Sequence, residues 1–331
     1  MASNPTYNNT PVVHSTRVDK VGTRPQSMRF IRALIAITLM VIILIPVAWM
    51  GMTAFKSRPD AVAVPPKAFF TPTLEGFVSL MTQRRQLTNE EIVAYQTRTD
   101  LAWYDRIALK RGQVIIGQSQ FPRQLLNSLI IASISTIFSV SFGVLAAYAF
   151  SRFRIPGEDD LLFFILSTRM LPPVVVTVPI FLMYRELGLY DTHFGLILLY
   201  TAFNLSFSVW LLKGFIDEIP REYEEAALVD GYTRLQAFRK IVLPQSVTGI
   251  AATTVFSFIF AWNEYAFALM LTADTARTAP PSIPLVLGVG GIEWAAIAAG
   301  SMAFLIPVIV VTFALRNHLL RGVTFGAIRK G

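Results

Sequence analysis

Long apolar runs alternate with polar intervals along this chain. Six runs, Ile31 to Phe55, Leu125 to Phe150, Leu161 to Met183, Phe194 to Leu212, Val247 to Leu271 and Ala295 to Leu315, are each long enough to cross about 30 Å of hydrocarbon as a helix. The pattern predicts an all-α integral membrane protein with six transmembrane helices. The first run is too long and lies too far from Met1 to be the core of a cleaved signal peptide, so it reads as a retained span. Met1 to Gln26 is polar and lacks a periodic apolar face. The expected organisation is a disordered cytoplasmic tail over 1–28 and a six-span domain over 29–331, with a long external loop at 56–123 and a cytoplasmic helix-turn-helix within 217–245.

The flanking charges orient these spans. Arg17, Lys20, Arg24, Arg29 and Arg32 precede the first run, Arg152 and Arg154 follow the second, Arg234, Arg239 and Lys240 follow the fourth, and Arg316, Arg321, Arg329 and Lys330 follow the sixth. The opposite short loops carry only Arg185 and Arg277 as basic residues, so the positive-inside rule places both termini in the cytoplasm. Composition agrees, with 53% hydrophobic and 15% charged residues and a mean hydropathy of +0.53. A net charge of +8 raises nucleic acid as a partner, but the basic residues flank apolar runs instead of forming one face, and no nucleic acid is expected. There are no cysteines, and His14, His193 and His318 are too scattered to hold a metal.

The polar stretch between the fourth and fifth runs carries the most specific chemistry. Pro220 fits a first helical position, and Glu222, Glu224 and Glu225 favour the positive end of a helix dipole. Asp230-Gly231 predicts a left-handed corner. Thr233 and Gln236 have capping-box spacing for a second amphipathic helix, from which Pro244 releases the chain into the fifth run.

Glu225-Ala226-Ala227, three residues, Gly231, nine residues, Ile241, one residue and Leu243-Pro244 resembles the EAA loop of ABC importer permeases, in particular the carbohydrate type similar to the maltose-system permeases. The resemblance implies a bacterial inner-membrane, multi-pass subunit whose coupling loop, with Asp230 included, sits in a cleft of an ATPase subunit and transmits its closure to the spans. It also implies two ATP-binding subunits, an external solute-binding protein and a second, related permease, with ATP and Mg bound by the ATPases and no cofactor on this chain. The solute implied is a sugar or polyol. Met81 to Gln120 is longer than the family's common loop and reads either as a contact for the binding protein or as a packing insert. Thr88 and Glu91 have capping-box spacing within it, and apolar residues from Ile92 to Ile107 predict one or two short helices.

Two polar islands interrupt the spans. Arg169, before Pro172 and Pro173, is costly in hydrocarbon unless it faces protein or water, and the prolines free nearby carbonyls to line a pathway. Its other reading is a structural arginine paired with Glu264 or with backbone, or one snorkelling outward. Trp262, Asn263, Glu264 and Tyr265 resemble the carbohydrate-permease pattern in the fifth span and suit a path for hydroxyl-rich solutes, although such groups also hold helices together. Asn204 is a weaker candidate on the fourth. No nucleotide-binding GxxxxGK[ST] loop or catalytic constellation occurs, so the expectation is a transport subunit and not an enzyme. The alternative is a self-sufficient secondary transporter or channel, which leaves the EAA spacing unexplained.

Overall fold

The computed structural model of the chain describes residues 26–288 and 291–328. It divides into two units, residues 1–48 and 49–331. The first unit is described from residue 26 onward, within α1, Gln26–Ala54. This helix begins inside the tail expected over 1–28, whose remainder lies outside the described residues. Ile31, Leu39 and Ile43 are all exposed, as an apolar helix with hydrocarbon for solvent allows.

In the second unit, α2, Glu75–Met81, crosses the end of α1 and the start of the last helix. Gly76 permits that crossing, because a Cβ there would stand 2.5 Å from the carbonyl oxygen of Ala295 and 2.7 Å from that of Ala54. The long loop then forms β1, Thr82–Gln86, two short helices, α3, Asn89–Gln96, and α4, Trp103–Leu109, and β2, Gln113–Gln118. The two helices and the Thr88–Glu91 capping box agree with the sequence reading. The antiparallel β1–β2 pair, running from Thr82↔Gln118 to Gln86↔Gln113, does not. Thr-Gln-Arg-Arg-Gln has no apolar alternation, so its strand character comes from the tertiary pairing. Arg111 donates to Glu293 at 2.8 and 3.1 Å and lies 3.0 Å from Glu75, which ties the insert to the last helix. Burial pushes the Glu293 carboxyl up, but the Arg111 hydrogen bonds together with the charges of Arg111, Arg84 and Arg58 outweigh it and lower the group below its ordinary value.

The remaining spans follow as α5, Phe121–Arg152, the broken pair α6, Glu158–Ser167, and α7, Pro173–Glu186, then α8, His193–Asp217. Between α8 and the fifth span lie α9, Glu222–Val229, and α10, Arg234–Ala237. The fifth span is α11, Val247–Trp262, and the last is reached through α12, Ala266–Leu271, and is α13, Trp294–Ile328. Four helices are long and apolar enough to cross a membrane alone, and six spans result when each of two bent pairs counts as one. The third span bends by 91° at its break, where Pro172 and Pro173 remove backbone donors as expected.

The fifth run is not the single helix its composition predicts. It stops at Trp262, and Glu264 accepts the N–H groups of Phe267 and Ala268 at 2.9 Å each to start α12. The carboxylate satisfies donors that a continuous helix would have turned onto carbonyls, and so stabilises the break.

Small residues let α5, α8 and α11 approach closely. A Cβ on Gly143 would lie 2.6 Å from the Ser208 Cβ, and one on Gly249 would lie 2.4 Å from Phe215. The Ser208 and Ser257 hydroxyls meet at 3.2 Å. This is the packing that membrane helices use when lipid supplies no hydrophobic drive between them.

Candidate functional site

The helix-turn-helix between α8 and α11 forms as the sequence predicts at its corner and second cap. Gly231 has φ +87°, a left-handed conformation. Thr233 accepts from the Gln236 N–H while the Gln236 side chain accepts from the Thr233 N–H. Two details differ. α9 starts at Glu222 with Arg221 at its cap, so Pro220 precedes the helix and is not its first residue. Pro244 does not end the second helix either. Phe238–Val242 is a π-helical turn in which Leu243 N–H reaches the Phe238 carbonyl, and Leu243–Gln245 continues it before the chain bends at Ser246. The widened turn accommodates a proline that cannot donate.

Within this loop Glu225, Ala226, Asp230, Gly231 and Pro244 are exposed, Ile241 and Leu243 are half-buried and Ala227 is buried. Glu224, which the sequence reading placed only in the first turn, is the inward residue. Its carboxylate pairs with Arg152 and accepts from the Tyr148 hydroxyl at 2.9 Å. Arg152 also donates to the Ile219 carbonyl at 2.9 Å, and Arg221 to the Ser151 carbonyl at 2.6 Å. Phe238 packs its ring 4.6 Å from that of Tyr148. The spacing of Glu224 and Ala227, three residues apart on one helix face, carried the signal for this inward side. α9 and the π turn are thereby fixed to the C-terminal end of α5, a helix of 32 residues and thus about 48 Å long.

A cavity of about 240 Å³ lies between the broken third span, α8 and the fifth-span break, lined by Arg169, Asn204, Tyr200 and Glu264 among others. The structure brings Arg169 and Glu264 to one cavity without an ion pair between them. Arg169 donates to the Phe203 carbonyl at 3.3 Å and lies over the rings of Phe260 and Phe207, 4.3 and 5.2 Å from their centroids. Ring faces and a carbonyl together lower the cost of a guanidinium at this depth. Glu264 accepts from the Tyr200 hydroxyl at 2.7 Å as well as from the two α12 amides. Asn204 is buried and donates to the Ser257 carbonyl at 3.4 Å.

The other members of the second island are placed elsewhere. Trp262 is buried, donates to the Phe304 carbonyl at 3.1 Å and stacks on Phe304 at 4.6 Å, so it joins the fifth and sixth spans. Asn263 is exposed and bonds the Ile259 carbonyl at 2.9 Å, and Tyr265 is exposed beside it. Among the described residues no group of three His, Cys, Asp or Glu is arranged to hold a metal.

The broken spans and the loop fixed to α5 define a transport subunit of the membrane, and comparison with known proteins gives its family. The chain belongs to the binding-protein-dependent transport system inner membrane components, the permease subunits of ABC importers, which match it over residues 139–325. It is similar to the trehalose/maltose transport system permease protein MalG of Thermococcus litoralis, with 31% identity over 296 residues, 89% of this chain and 94% of that one. It is also similar to the trehalose transport system permease protein SugB of Mycobacterium tuberculosis, with 39% identity over 212 residues, 63% of this chain and 77% of that one. A chain of a bacterial ABC transporter involved in the import of the acidic polysaccharide alginate shares the fold, with TM-score 0.62 and 20% identity over 89% of this chain and 98% of that one. The protein is accordingly an integral inner-membrane permease component.

Proposed function

We propose that this permease carries a sugar or polyol, delivered by an external solute-binding protein, along a path shared with a second permease subunit. Both termini and the 217–245 loop face the cytoplasm. Two separate ATPase subunits bind ATP and Mg and close on the loop, and this chain hydrolyses nothing itself. The observation that carries the reading is the division of labour within one helical turn: Glu225 is exposed while Glu224 is buried against Arg152. A push on α9 passes into α5, and α5 packs against α8, which bears Tyr200 and Asn204 of the membrane cavity. Arg169 and Glu264 face that same cavity, where amide, carboxylate and guanidinium groups replace the water stripped from solute hydroxyls. Trp262 and Asn263 hold the end of α11 beside the break in the fifth span, and Tyr265 follows it.

The test is reconstitution with the ATPase and binding protein. Glu225→Lys reverses an exposed charge, and Gly231→Val puts a β-branched residue at φ +87°, a strain of about 1–3 kcal/mol. Both variants should insert and assemble six spans yet lose ATPase stimulation by loaded binding protein. Full stimulation and uptake in both would overturn the coupling role.

A further inference from the structure

A second and larger cavity, of about 660 Å³, opens at the other end of α5 from the coupling loop. Its volume lies within the range of about 300–1,000 Å³ that small-molecule sites occupy. α2, the β1–β2 pair, the first turn of α5 and the loop from Asp274 to Val286 all contribute to its wall. Its chemistry is mixed in a particular way. Gln83, Gln124, Arg84 and Arg277 offer amide and guanidinium groups, while Phe121 and Leu80 give an apolar floor.

Much of that polar capacity is unspent. Among the described residues, the Arg84 side chain makes one hydrogen bond, to the Gln113 side chain at 2.8 Å, and no carboxylate lies within ion-pair distance of it. Burial pulls its guanidinium below the ordinary value. Among the described residues, the Arg277 side chain donates only a long 3.4 Å bond to the Ala273 carbonyl. Ser79, beside the cavity, is 5% exposed, and its enclosed hydroxyl has no hydrogen-bond partner among the described residues. A buried hydroxyl left unpaired costs free energy unless a ligand or water completes it.

We infer that this cavity is a saccharide subsite of the permease, separate from the membrane cavity, which binds one or two hydroxyl-rich rings through Gln83, Arg84 and Gln124 with Phe121 beneath. The inference rests on the sugar-import reading for its ligand class. Amides and guanidinium exchange hydrogen bonds with ring hydroxyls, and the apolar floor meets ring C–H groups. Asp274 is the one carboxylate among the lining residues, so neutral and acidic rings are distinguished by experiment.

The test is saturation-transfer NMR on the whole importer in nanodiscs, without binding protein, using glucose, maltose, trehalose and glucuronate as probes. Wild type should show saturation of at least one probe, and the Gln83→Ala/Gln124→Leu double variant should weaken it by about tenfold through loss of two hydrogen-bonding amides. Among the described residues neither side chain makes a hydrogen bond, and inserted yield should be unchanged. No saturation of any probe, or equal saturation in the double variant, overturns the subsite. A signal lost in Asn204→Ala but kept in the double variant places binding in the membrane cavity and overturns it equally. ATPase stimulation on adding binding protein to the same nanodiscs, and uptake by the same complexes in sealed proteoliposomes, separate the two readings. Transport without a signal from this cavity sinks the subsite alone, whereas such a signal without binding-protein-driven transport supports the subsite and counts against the import reading.

Discussion

Glu224 and Arg152 form a buried ion pair between the coupling loop and the end of α5, with side-chain exposures of 9% and 6%. The Tyr148 hydroxyl and the Ile219 carbonyl complete their hydrogen bonding. Removing one partner leaves the other charge buried, at a cost of about 3–5 kcal/mol. Glu224→Ala is therefore expected to lower thermal stability and abolish stimulated ATPase, while Glu224→Gln, which keeps the shape, loses less of both. Melting of the purified permease beside ATPase assays of the assembled importer checks this. A Glu224→Ala protein with wild-type melting and stimulation would show that the pair transmits nothing.

Much of this site was legible in the sequence, and the part that was not has a physical reason. Gly231, the Thr233 cap and the third-span break at Pro172-Pro173 are local signals, fixed by φ, by side chain–backbone bonds and by missing donors. Glu224 and Glu225 are chemically identical, and only the packing of α9 on α5 tells the buried one from the exposed one. The break at Glu264 was hidden because the run continues apolar on both sides of the Trp262 to Tyr265 island, and periodicity does not register a carboxylate that caps a new helix. The strands of the insert were hidden for the reason given by their pairing.

Arg169 and Glu264 share the membrane cavity but differ in what the backbone asks of them. Arg169 holds one carbonyl at 3.3 Å and two rings, contacts that Leu replaces in part by packing. Glu264 holds two amides and the Tyr200 hydroxyl. Arg169→Leu should lower uptake more than assembly, whereas Glu264→Ala should lower both because it frees the start of α12. Quantitative blotting of inserted protein beside initial uptake rates separates the two. Normal uptake by a fully assembled Arg169→Leu protein would return Arg169 to a packing role.

Asp191 clamps the loop after α12. Its carboxylate accepts the N–H groups of Ala273, Asp274, Thr275 and Ala276 at 2.9 to 3.2 Å, and the residue itself adopts φ +54°. Burial pushes its carboxyl up, but the four amides outweigh that and hold it below the ordinary value. The sign follows: the clamp contributes stability that is fully present above the unfolded value of about 3.9 and is lost as pH falls through the lower folded one. Asp191→Asn, which tolerates the same backbone, should melt lower at neutral pH, and the gap from wild type should close in acid. A gap that stays constant on acidification would mean the carboxylate charge is not what holds the loop.

The orientation of the spans supports the functional reading and can be tested directly, because the chain contains no cysteine. The arginine-rich flanks put the coupling loop inside and the 56–123 segment outside. Trp103, on the insert, is 58% exposed, so a cysteine there is reachable. Asp159 is exposed at the start of α6, beside Glu158, whose carboxylate lies 3.4 Å from Lys213 near the coupling-loop end of α8. It therefore reports the same side as the loop from a position outside the Glu225 to Gly231 segment that the ATPase would cover. An impermeant maleimide applied to intact cells stripped of their outer barrier should label Trp103→Cys and leave Asp159→Cys untouched until the membrane is opened. The two positions flank opposite ends of the α5–α8 pair, so an inverted protein must exchange both results together. Labelling of Asp159→Cys alone in intact cells would place the coupling loop outside, where ATP is absent, and the coupling mechanism would fail with it.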